Sequence, residues 1–314
     1  MSVFLLFAVL AIGAYFYLGS EKISGLVLPI PKVFGINNGK KPLNVWFPDQ
    51  EGLEKDSTDL LISAKSALVV DFDTSEVVFA KKPNERLPAA STVKIMTALL
   101  ALEKAKLSDE FEVSEDAAKI GEDSMFLNPG EKLSLEELLY GMMLVSGNDA
   151  ATVIAENVSG SEEKFVGEMN NKAKALGLMH TLFINPTGLD EDGVRQYSTA
   201  YDLAVIAHFL WSEHTEIQEI VSTYHKVIEA TDRHKAFDLY NDTNLLTTYP
   251  GVRGIKPGFT WDAGLCLVTY AQNGGKRLIA VILGSENRRM EMKELLDYAF
   301  GKYGIKVEHP ALDY

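Results

Sequence analysis

The 314-residue sequence has little of what several large protein classes require. Its single cysteine, Cys266, excludes an internal disulfide framework, and the apolar run around it predicts a small buried side chain. Acidic residues outnumber basic ones by 44 to 30, a formal net charge of -14, which argues against nucleic-acid binding. No His-x-x-x-His pair with a nearby glutamate occurs, and no Gly-x-Ser-x-Gly. Zinc hydrolysis and an α/β-hydrolase elbow are therefore unsupported.

The N-terminus does hold a long uncharged run, residues 2–20. About 20 apolar residues can span a bilayer. No basic residue precedes the run, and Ala11-Ile12-Gly13 is a poor cleavage site, so an uncleaved anchor is favoured over a signal peptide. Lys22 and Lys32 follow the run, and the positive-inside rule alone would keep the remainder in the cytoplasm. That rule weakens for long translocated domains, and we expect a single N-terminal pass with the remainder extracytoplasmic.

The rest of the chain divides by composition. Prolines scattered through residues 21–60 predict a linker or stalk. Regular patterns then fill residues 61–305, the predicted folded domain, and residues 306–314 form a short tail. By length alone, the chain could form one large domain or two modest ones.

Strand patterns lie at both ends of the predicted domain. Residues 67–80 predict one hairpin, and residues 264–284 predict another around Asn273-Gly274-Gly275. A further strand is predicted near 224–229, and a largely helical middle over 134–222. Together these patterns favour an antiparallel sheet assembled from distant segments and covered by helices on both faces.

Capping residues mark several helix ends in the sequence. Ser134 with Glu137 forms a capping-box pattern, and Ser161 and Ser198 each precede a helical pattern. Gly177 is placed to end a helix, and an amphipathic stretch over residues 290–303 predicts a closing helix.

The segment around Ser91 combines a helix start with a nucleophile. Pro88 disfavours helix at the residue before it, whereas strong helix formers follow Ser91, so a buried helix is predicted to begin at or just before Ser91. Ser91 and Lys94 then share one face of the first turn. A lysine with a depressed pKa can activate a serine, and the helix dipole favours the alkoxide. Residues 161–164 repeat the spacing, but they resemble an ordinary N-cap with an acidic first turn.

Two more short motifs follow in order. Ser146-Gly147-Asn148 lies between the helical patterns 135–144 and 149–156, which predicts a tight inter-helix loop. Lys256-Pro257-Gly258 lies on the predicted strand 252–259, where Gly258 would let a substrate backbone approach closely. Two similar triplets occur in other settings, Ser285-Glu286-Asn287 and Lys302-Tyr303-Gly304. Ser-x-x-Lys, Ser-x-Asn and Lys-x-Gly in this order are typical of penicillin-binding proteins and class A β-lactamases.

From about residue 66 to residue 303 the chain resembles the serine D-alanyl-D-alanine carboxypeptidases, low-molecular-weight penicillin-binding proteins of the β-lactamase/transpeptidase-like superfamily. The similar segments are residues 88–94, 185–189, 197–204, 241–246 and 254–260, with Ala263-Gly264 after the last. The resemblance implies an α+β fold in which helices flank a five-stranded antiparallel sheet, with a helical subdomain. It also implies removal of the terminal D-alanine from peptidoglycan stem peptides, penicillin binding, and no metal or organic cofactor.

The resemblance further implies roles for individual residues. Ser91 would form the acyl-enzyme, Lys94 would take its proton, and Ser146 would relay a proton to the departing D-alanine. Asn148 would bind the substrate amide. Lys256 would supply positive charge near Ser146 and the terminal carboxylate.

Three further residues are implied to contact substrate. The backbone N–H groups of Ser91 and Phe259 would form the oxyanion hole, beside Gly258. Arg288, which precedes Arg289, resembles the carboxylate-binding arginine of the family.

Pro257 departs from the family pattern, which usually has threonine there. Proline offers neither a hydroxyl nor an N–H, so one hydrogen bond to the terminal carboxylate should be lost. This predicts a reduced preference for free carboxylates and keeps open an endopeptidase acting on cross-links. The motifs also leave open a β-lactamase and a catalytically weak peptidoglycan-binding or β-lactam-sensing module. The sequence does not determine the oligomeric state.

Overall fold

The computed structural model describes residues 43–53, 57, 59–193, 195–243 and 245–310. The predicted anchor, residues 1–20, lies outside these residues, as does much of the predicted linker, residues 21–60. Within the described part of the chain, no helix is both long and apolar enough to cross a membrane.

An antiparallel sheet forms the centre of the fold. The strands are β1 (Ser66–Asp71), β2 (Val77–Lys81), β3 (Glu110–Glu112), β4 (Lys132–Ser134), β5 (His225–Ile228), β6 (Phe237–Tyr240), β7 (Val252–Thr260), β8 (Gly264–Asn273) and β9 (Lys276–Ser285). Five of them form one sheet in the order β2-β1-β9-β8-β7, with every neighbouring pair antiparallel. The predicted sheet of distant segments and both predicted hairpins are therefore confirmed. The strand predicted near 224–229 is confirmed as β5, which pairs with β6 in a separate hairpin.

The helices come mostly from the middle of the chain. They are α1 (Lys94–Lys104), α2 (Leu135–Leu144), α3 (Asn148–Ser159), α4 (Glu162–Ala175), α5 (Ala200–Glu213), α6 (Thr215–Ser222), α7 (Leu245–Thr248) and α8 (Arg288–Lys302). The helical middle and the closing helix are confirmed, although residues 176–199 between α4 and α5 are not helical.

Local capping chemistry explains most of the helix boundaries. The Ser134–Glu137 capping box and the Ser161 cap form as predicted, and Gly177 follows α4 with a φ of 78°. The expectation for Ser198 is off by one residue, because Thr199 caps α5 by accepting from the Asp202 N–H. The Ser198 hydroxyl instead hydrogen-bonds with Thr181 Oγ1 at 2.8 Å, and its backbone pairs with Leu87 in an isolated bridge.

Both faces of the sheet are buried. Along β1, Leu68 and Val70 face a core built with most of the helices, whereas Ala67 and Val69 face a second core built with α8. Alternate side chains of a strand point to opposite faces, so burial on both sides explains why the strand is apolar without a break. Cys266 is fully buried, as predicted, and burial raises the pKa of its thiol to about 11.

Part of the predicted linker lies against the domain. Trp46 stacks on His208 with 4.1 Å between ring centroids, and the Asp49 N–H donates to the Ser75 carbonyl at 2.8 Å. These contacts begin before residue 61, the predicted start of the domain.

Candidate active site

Ser91 lies in a strained turn at the start of a buried helix. Residues Ala90–Val93 form a 3₁₀ turn that continues directly into α1, so Lys94 is the first α-helical residue. Ala90 has a φ of 47°, a left-handed conformation that is unfavourable for a residue with a Cβ. The turn holds Ser91 at 7% exposure at the helix entry, next to Lys94. The predicted helix start is confirmed.

The Lys94 amine makes three close contacts. Its Nζ lies 2.9 Å from Ser91 Oγ, 2.7 Å from Asn148 Oδ1 and 2.6 Å from the Thr187 carbonyl oxygen. Asn148 Oδ1 and the carbonyl can only accept hydrogen bonds. A neutral amine has two N–H donors and one lone pair, so these two acceptors use the donors and leave the lone pair for the Ser91 hydroxyl. This arrangement is that of a general base.

Burial makes the neutral form of Lys94 accessible. The side chain is fully buried, and this burial holds the lysine pKa well below its usual range. The positive charge of Lys256 lowers the pKa further, whereas the carboxylates of Asp123 and Asp149 act in the opposite direction. Loss of solvation is the largest of these causes.

The loop over residues 185–189 supplies one of these contacts. Asn185 Oδ1 accepts from Thr187 Oγ1 and from the Gly188 N–H, and Pro186 O accepts from Thr97 Oγ1 on α1 at 2.7 Å. Gly188 has a φ of 90°, and a Cβ there would lie 2.1 Å from the Ala90 carbonyl oxygen. The role of Thr187 could not be predicted, since a main-chain acceptor has no residue-type signal.

Ser146 lies in the tight loop between α2 and α3, as predicted, whereas Asn148 is the first residue of α3. Ser146 has a φ of 61° and is 3% exposed, and its Oγ has no hydrogen-bond partner among the described residues. Asn148 Nδ2 donates to the Gly121 carbonyl at 3.1 Å. Asp149 accepts from the Met125 N–H at 2.9 Å, which ties the loop before Met125 to the start of α3. No pattern in the sequence indicated this anchoring role of Asp149.

Lys256 comes from β7, the edge strand next to the Ser91 turn. It is fully buried, and its Nζ has no hydrogen-bond partner in the described part of the chain. Burial lowers its pKa to about 8, while Asp242 and Asp123 act in the opposite direction. A Cβ on Gly258 would lie 2.8 Å from the Ser91 backbone nitrogen. The glycine therefore lets β7 approach the Ser91 turn closely, whereas substrate approach at Gly258 stays a prediction.

A cleft of about 250 Å³ opens beside these groups. It is lined by Glu122, Asp123, Ser146, Asp242, Pro257, Gly258, Phe259 and Arg288. Arg288 Nη1 donates to the Gly258 carbonyl at 2.6 Å. The eight predicted site residues thus gather around one region, with three acidic residues that sequence reasoning missed. Nothing in the spacing of those acidic residues marked them.

The similar triplets in the sequence are used elsewhere in the fold. Ser161 caps α4, Ser285 Oγ donates to Glu291 Oε2 at 2.5 Å, and Lys302 Nζ donates to Asp59 at 3.4 Å. These residues therefore have structural partners away from Ser91, Lys94 and the cleft.

Comparison with known proteins gives consistent results. The family model described as D-alanyl-D-alanine carboxypeptidase matches residues 53–287. The chain is 44% identical over 266 residues to the D-alanyl-D-alanine carboxypeptidase DacF of Bacillus subtilis, covering 82% of this chain and 67% of that protein. It is 34% identical over 284 residues to DacC of Escherichia coli, named likewise, covering 85% and 68%.

Solved structures with the same architecture include two from this group of proteins. One is the D-alanyl-D-alanine carboxypeptidase DacD of Francisella tularensis, with a TM-score of 0.72 and 29% identity over 81% of this chain and 76% of that one. The other is a penicillin-binding protein of Listeria monocytogenes in its ampicillin-bound form, with a TM-score of 0.69 and 30% identity over 77% and 99%. A buried amine on a serine hydroxyl, within a fold and a sequence shared with these enzymes, leads to one conclusion: the chain belongs to the D-alanyl-D-alanine carboxypeptidase family.

Proposed function

We propose that residues 61–305 form a serine D-alanyl-D-alanine carboxypeptidase domain that removes the terminal D-alanine from peptidoglycan stem peptides and is acylated by β-lactams at Ser91. The observation that carries this proposal is the fully buried Lys94 amine, 2.9 Å from Ser91 Oγ. Burial lowers the pKa of this amine, which favours the neutral form whose lone pair can accept the Ser91 proton.

The site residues then have defined steps. Lys94 takes the Ser91 proton as Oγ attacks the carbonyl carbon of the penultimate D-alanine, and the backbone N–H groups of Ser91 and Phe259 stabilise the oxyanion. Ser146 passes a proton to the departing amine nitrogen as the C–N bond breaks. The proton held by Lys94 replaces the one that Ser146 has given up. Water then attacks the ester carbonyl, one of its protons goes to Ser91 Oγ as the ester C–O bond breaks, and the shortened peptide leaves as a carboxylic acid. Asn148 orients Lys94 through its Oδ1 and retains an N–H for the substrate.

The proposal is tested by labelling with a fluorescent penicillin and by assaying D-alanine release from a pentapeptide. The wild-type protein should form a covalent adduct that Ser91→Ala lacks, and it should release D-alanine. A wild-type protein that neither labels nor releases D-alanine would contradict the assignment and favour a binding module.

Endopeptidase action on cross-links is a second candidate. Pro257 lines the cleft and offers no N–H or hydroxyl to a terminal carboxylate, and Glu122, Asp123 and Asp242 line the same cleft. These groups disfavour an anionic leaving group. Pro257→Thr should therefore increase the rate on pentapeptide relative to cross-linked dimer by about tenfold, the value of one hydrogen bond to a charged group. An unchanged ratio of the two rates would count against this candidate.

Residues 1–20 support a membrane-anchored location for the domain, outside the cytoplasm where peptidoglycan lies. The support is the uncharged run alone. A chain lacking residues 1–20 should move from the membrane to the soluble fraction, and protease added to intact spheroplasts should digest the full-length protein. Protection from that protease would reverse the proposed orientation.

A further inference from the structure

Phe259 contributes its backbone to a strand edge that faces the cleft. Pro257 lies two residues earlier on β7, which is an edge strand, and a proline fits a ladder only where its missing N–H would face away from the partner strand. Hydrogen-bonding direction alternates along a strand, so the Phe259 N–H also points away from β8. Phe259 lines the cleft on that side.

The same peptide group is held from its other side. The peptide between Gly258 and Phe259 is trans, so its carbonyl and its N–H point in opposite directions. Arg288 Nη1 donates to that carbonyl at 2.6 Å. The Arg288 guanidinium, at the start of α8, therefore contacts this peptide at its carbonyl oxygen, opposite the Phe259 N–H.

Gly258 fixes the position of this peptide relative to the nucleophile. With no side chain, it lies so close to Ser91 that a Cβ would be 2.8 Å from the Ser91 backbone nitrogen. The two N–H groups implied as the oxyanion hole therefore belong to segments in direct contact.

We propose that Arg288 is a positioning residue for the oxyanion hole: its guanidinium fixes and polarises the Gly258–Phe259 peptide so that the Phe259 N–H is a strong, correctly aimed donor. A cation on the carbonyl side of an amide draws electron density from the N–H and strengthens it as a donor. This role rests on the proposed acyl-enzyme chemistry. It differs from direct binding of the substrate carboxylate, which the other N–H groups of Arg288 could still perform because they donate to no other group among the described residues.

The experiment uses two substrates that separate these roles, an acylated D-alanyl-D-alanine peptide with a free terminal carboxylate and the same peptide as its terminal amide. Arg288→Ala should lower kcat about 10- to 100-fold on both substrates, less than the full loss of one oxyanion donor. Arg288→Lys, which keeps one cationic donor, should lose about tenfold. Arg289→Ala is the matched control, because Arg289 is adjacent in sequence but does not line the cleft, and it should retain the wild-type kcat.

A spectroscopic readout tests the oxyanion hole directly. In the infrared difference spectrum of the penicillin adduct, the ester carbonyl stretch should move to higher wavenumber in Arg288→Ala and stay in place in Arg289→Ala, since a weaker donor polarises the carbonyl less. Thermal unfolding of each variant shows whether it is folded, and Arg288→Lys replaces Arg288→Ala if the latter does not fold.

Three results would overturn the inference. A loss confined to the carboxylate peptide and expressed in KM would leave Arg288 as a carboxylate ligand alone. An active wild type with unchanged kcat and carbonyl stretch in Arg288→Ala would remove this inference and leave the proposed function intact. A wild type that cleaves neither peptide and takes no penicillin would instead remove the proposed function, and this inference with it.

Discussion

Two segments of this chain share the Ser-x-x-Lys spacing and differ in everything around it. In residues 91–94 the serine is nearly buried, the lysine is fully buried, and the two side chains contact each other at 2.9 Å. In residues 161–164 the Ser161 side chain instead accepts from the Lys164 backbone N–H at 3.3 Å, and the Lys164 side chain is exposed. The same residue types therefore make a reactive pair in one place and a helix cap in the other. Exclusion of water makes the difference, because it favours the neutral amine.

The largest expected contrast is between the two serines. Ser91→Ala should abolish penicillin labelling and lower the rate of D-alanine release by at least about 10⁴-fold, because among the described residues no other hydroxyl contacts Lys94. Ser161→Ala should keep both activities. Labelling with fluorescent penicillin and a D-alanine assay measure the effect. If Ser91→Ala were labelled as strongly as the wild type, Ser91 would not be the nucleophile.

The two lysines give the next contrast. Lys94→Met removes the base while retaining an unbranched apolar side chain, and we expect acylation to slow by about 10²- to 10⁴-fold. Stability should also fall by about 1–3 kcal/mol for each buried acceptor left unpaired, at Asn148 and Thr187. Lys164→Met should change neither quantity. Stopped-flow acylation and urea unfolding provide the measurements, and equal acylation rates in both variants would contradict the role of Lys94.

Two glycines with similar backbone conformations test how closely the chain packs against the turn that holds Ser91. Gly188 and Gly160 have φ values of 90° and 79°, but only at Gly188 would a Cβ meet the backbone of Ala90. Gly160→Ala should cost about 1 kcal/mol from the left-handed conformation alone. Gly188→Ala should cost about 3 kcal/mol and also displace Ser91. Equal losses in chemical denaturation would show that the contact with Ala90 is unimportant.

The buried Lys256 predicts a smaller effect, which is a dependence of kcat/KM on pH. A lysine carries its charge below its pKa, and the pKa of Lys256 is lowered to about 8, so attraction to a substrate carboxylate is present below pH 8 and is lost above it. We expect kcat/KM on the carboxylate peptide to fall about tenfold between roughly pH 7 and 9.5. Activity at low pH should fall as well, because Lys94 must be neutral to act as a base.

A variant distinguishes Lys256 from other groups that titrate. Lys256→Arg keeps its charge throughout this range, so the alkaline loss should disappear or move to higher pH. If a folded Lys256→Arg protein loses activity over the same alkaline pH range as the wild type, the loss must come from the titration of another group.

The smallest expected effect is on the stability of the helix start at residues 161–164. Ser161→Ala removes a hydroxyl that accepts from the Lys164 N–H at the start of α4, and this should cost about 1 kcal/mol with no change in activity. Urea unfolding measures the loss. A loss well above this value would mean that Ser161 has contacts beyond its role as a cap.

Much of the fold could be predicted from short patterns. The Asn273-Gly274-Gly275 turn, the Ser134–Glu137 box and Gly177 each act over a few residues, so the hairpin and the helix ends could be read locally. No local pattern revealed the one-residue error at Ser198, because its hydroxyl contacts Thr181 and its backbone pairs with Leu87, more than a hundred residues away in sequence. The strand β5 was predicted, whereas its partner β6 and the β3–β4 hairpin were missed, because strands of three or four residues are too short to show a clear alternating pattern.

The candidate site divides in the same way. The sequence by itself determined which side chains are available, because Ser91, Ser146 and Lys256 lie in motifs whose helix, loop and strand settings are set locally. Only the tertiary structure decided their chemistry. The partners of Lys94 lie 54 and 93 residues away, at Asn148 and Thr187, and the carbonyl bound by Arg288 lies 30 residues before it. The pKa of a lysine depends on the water excluded and the charges gathered around it, and both are properties of segments brought together by folding.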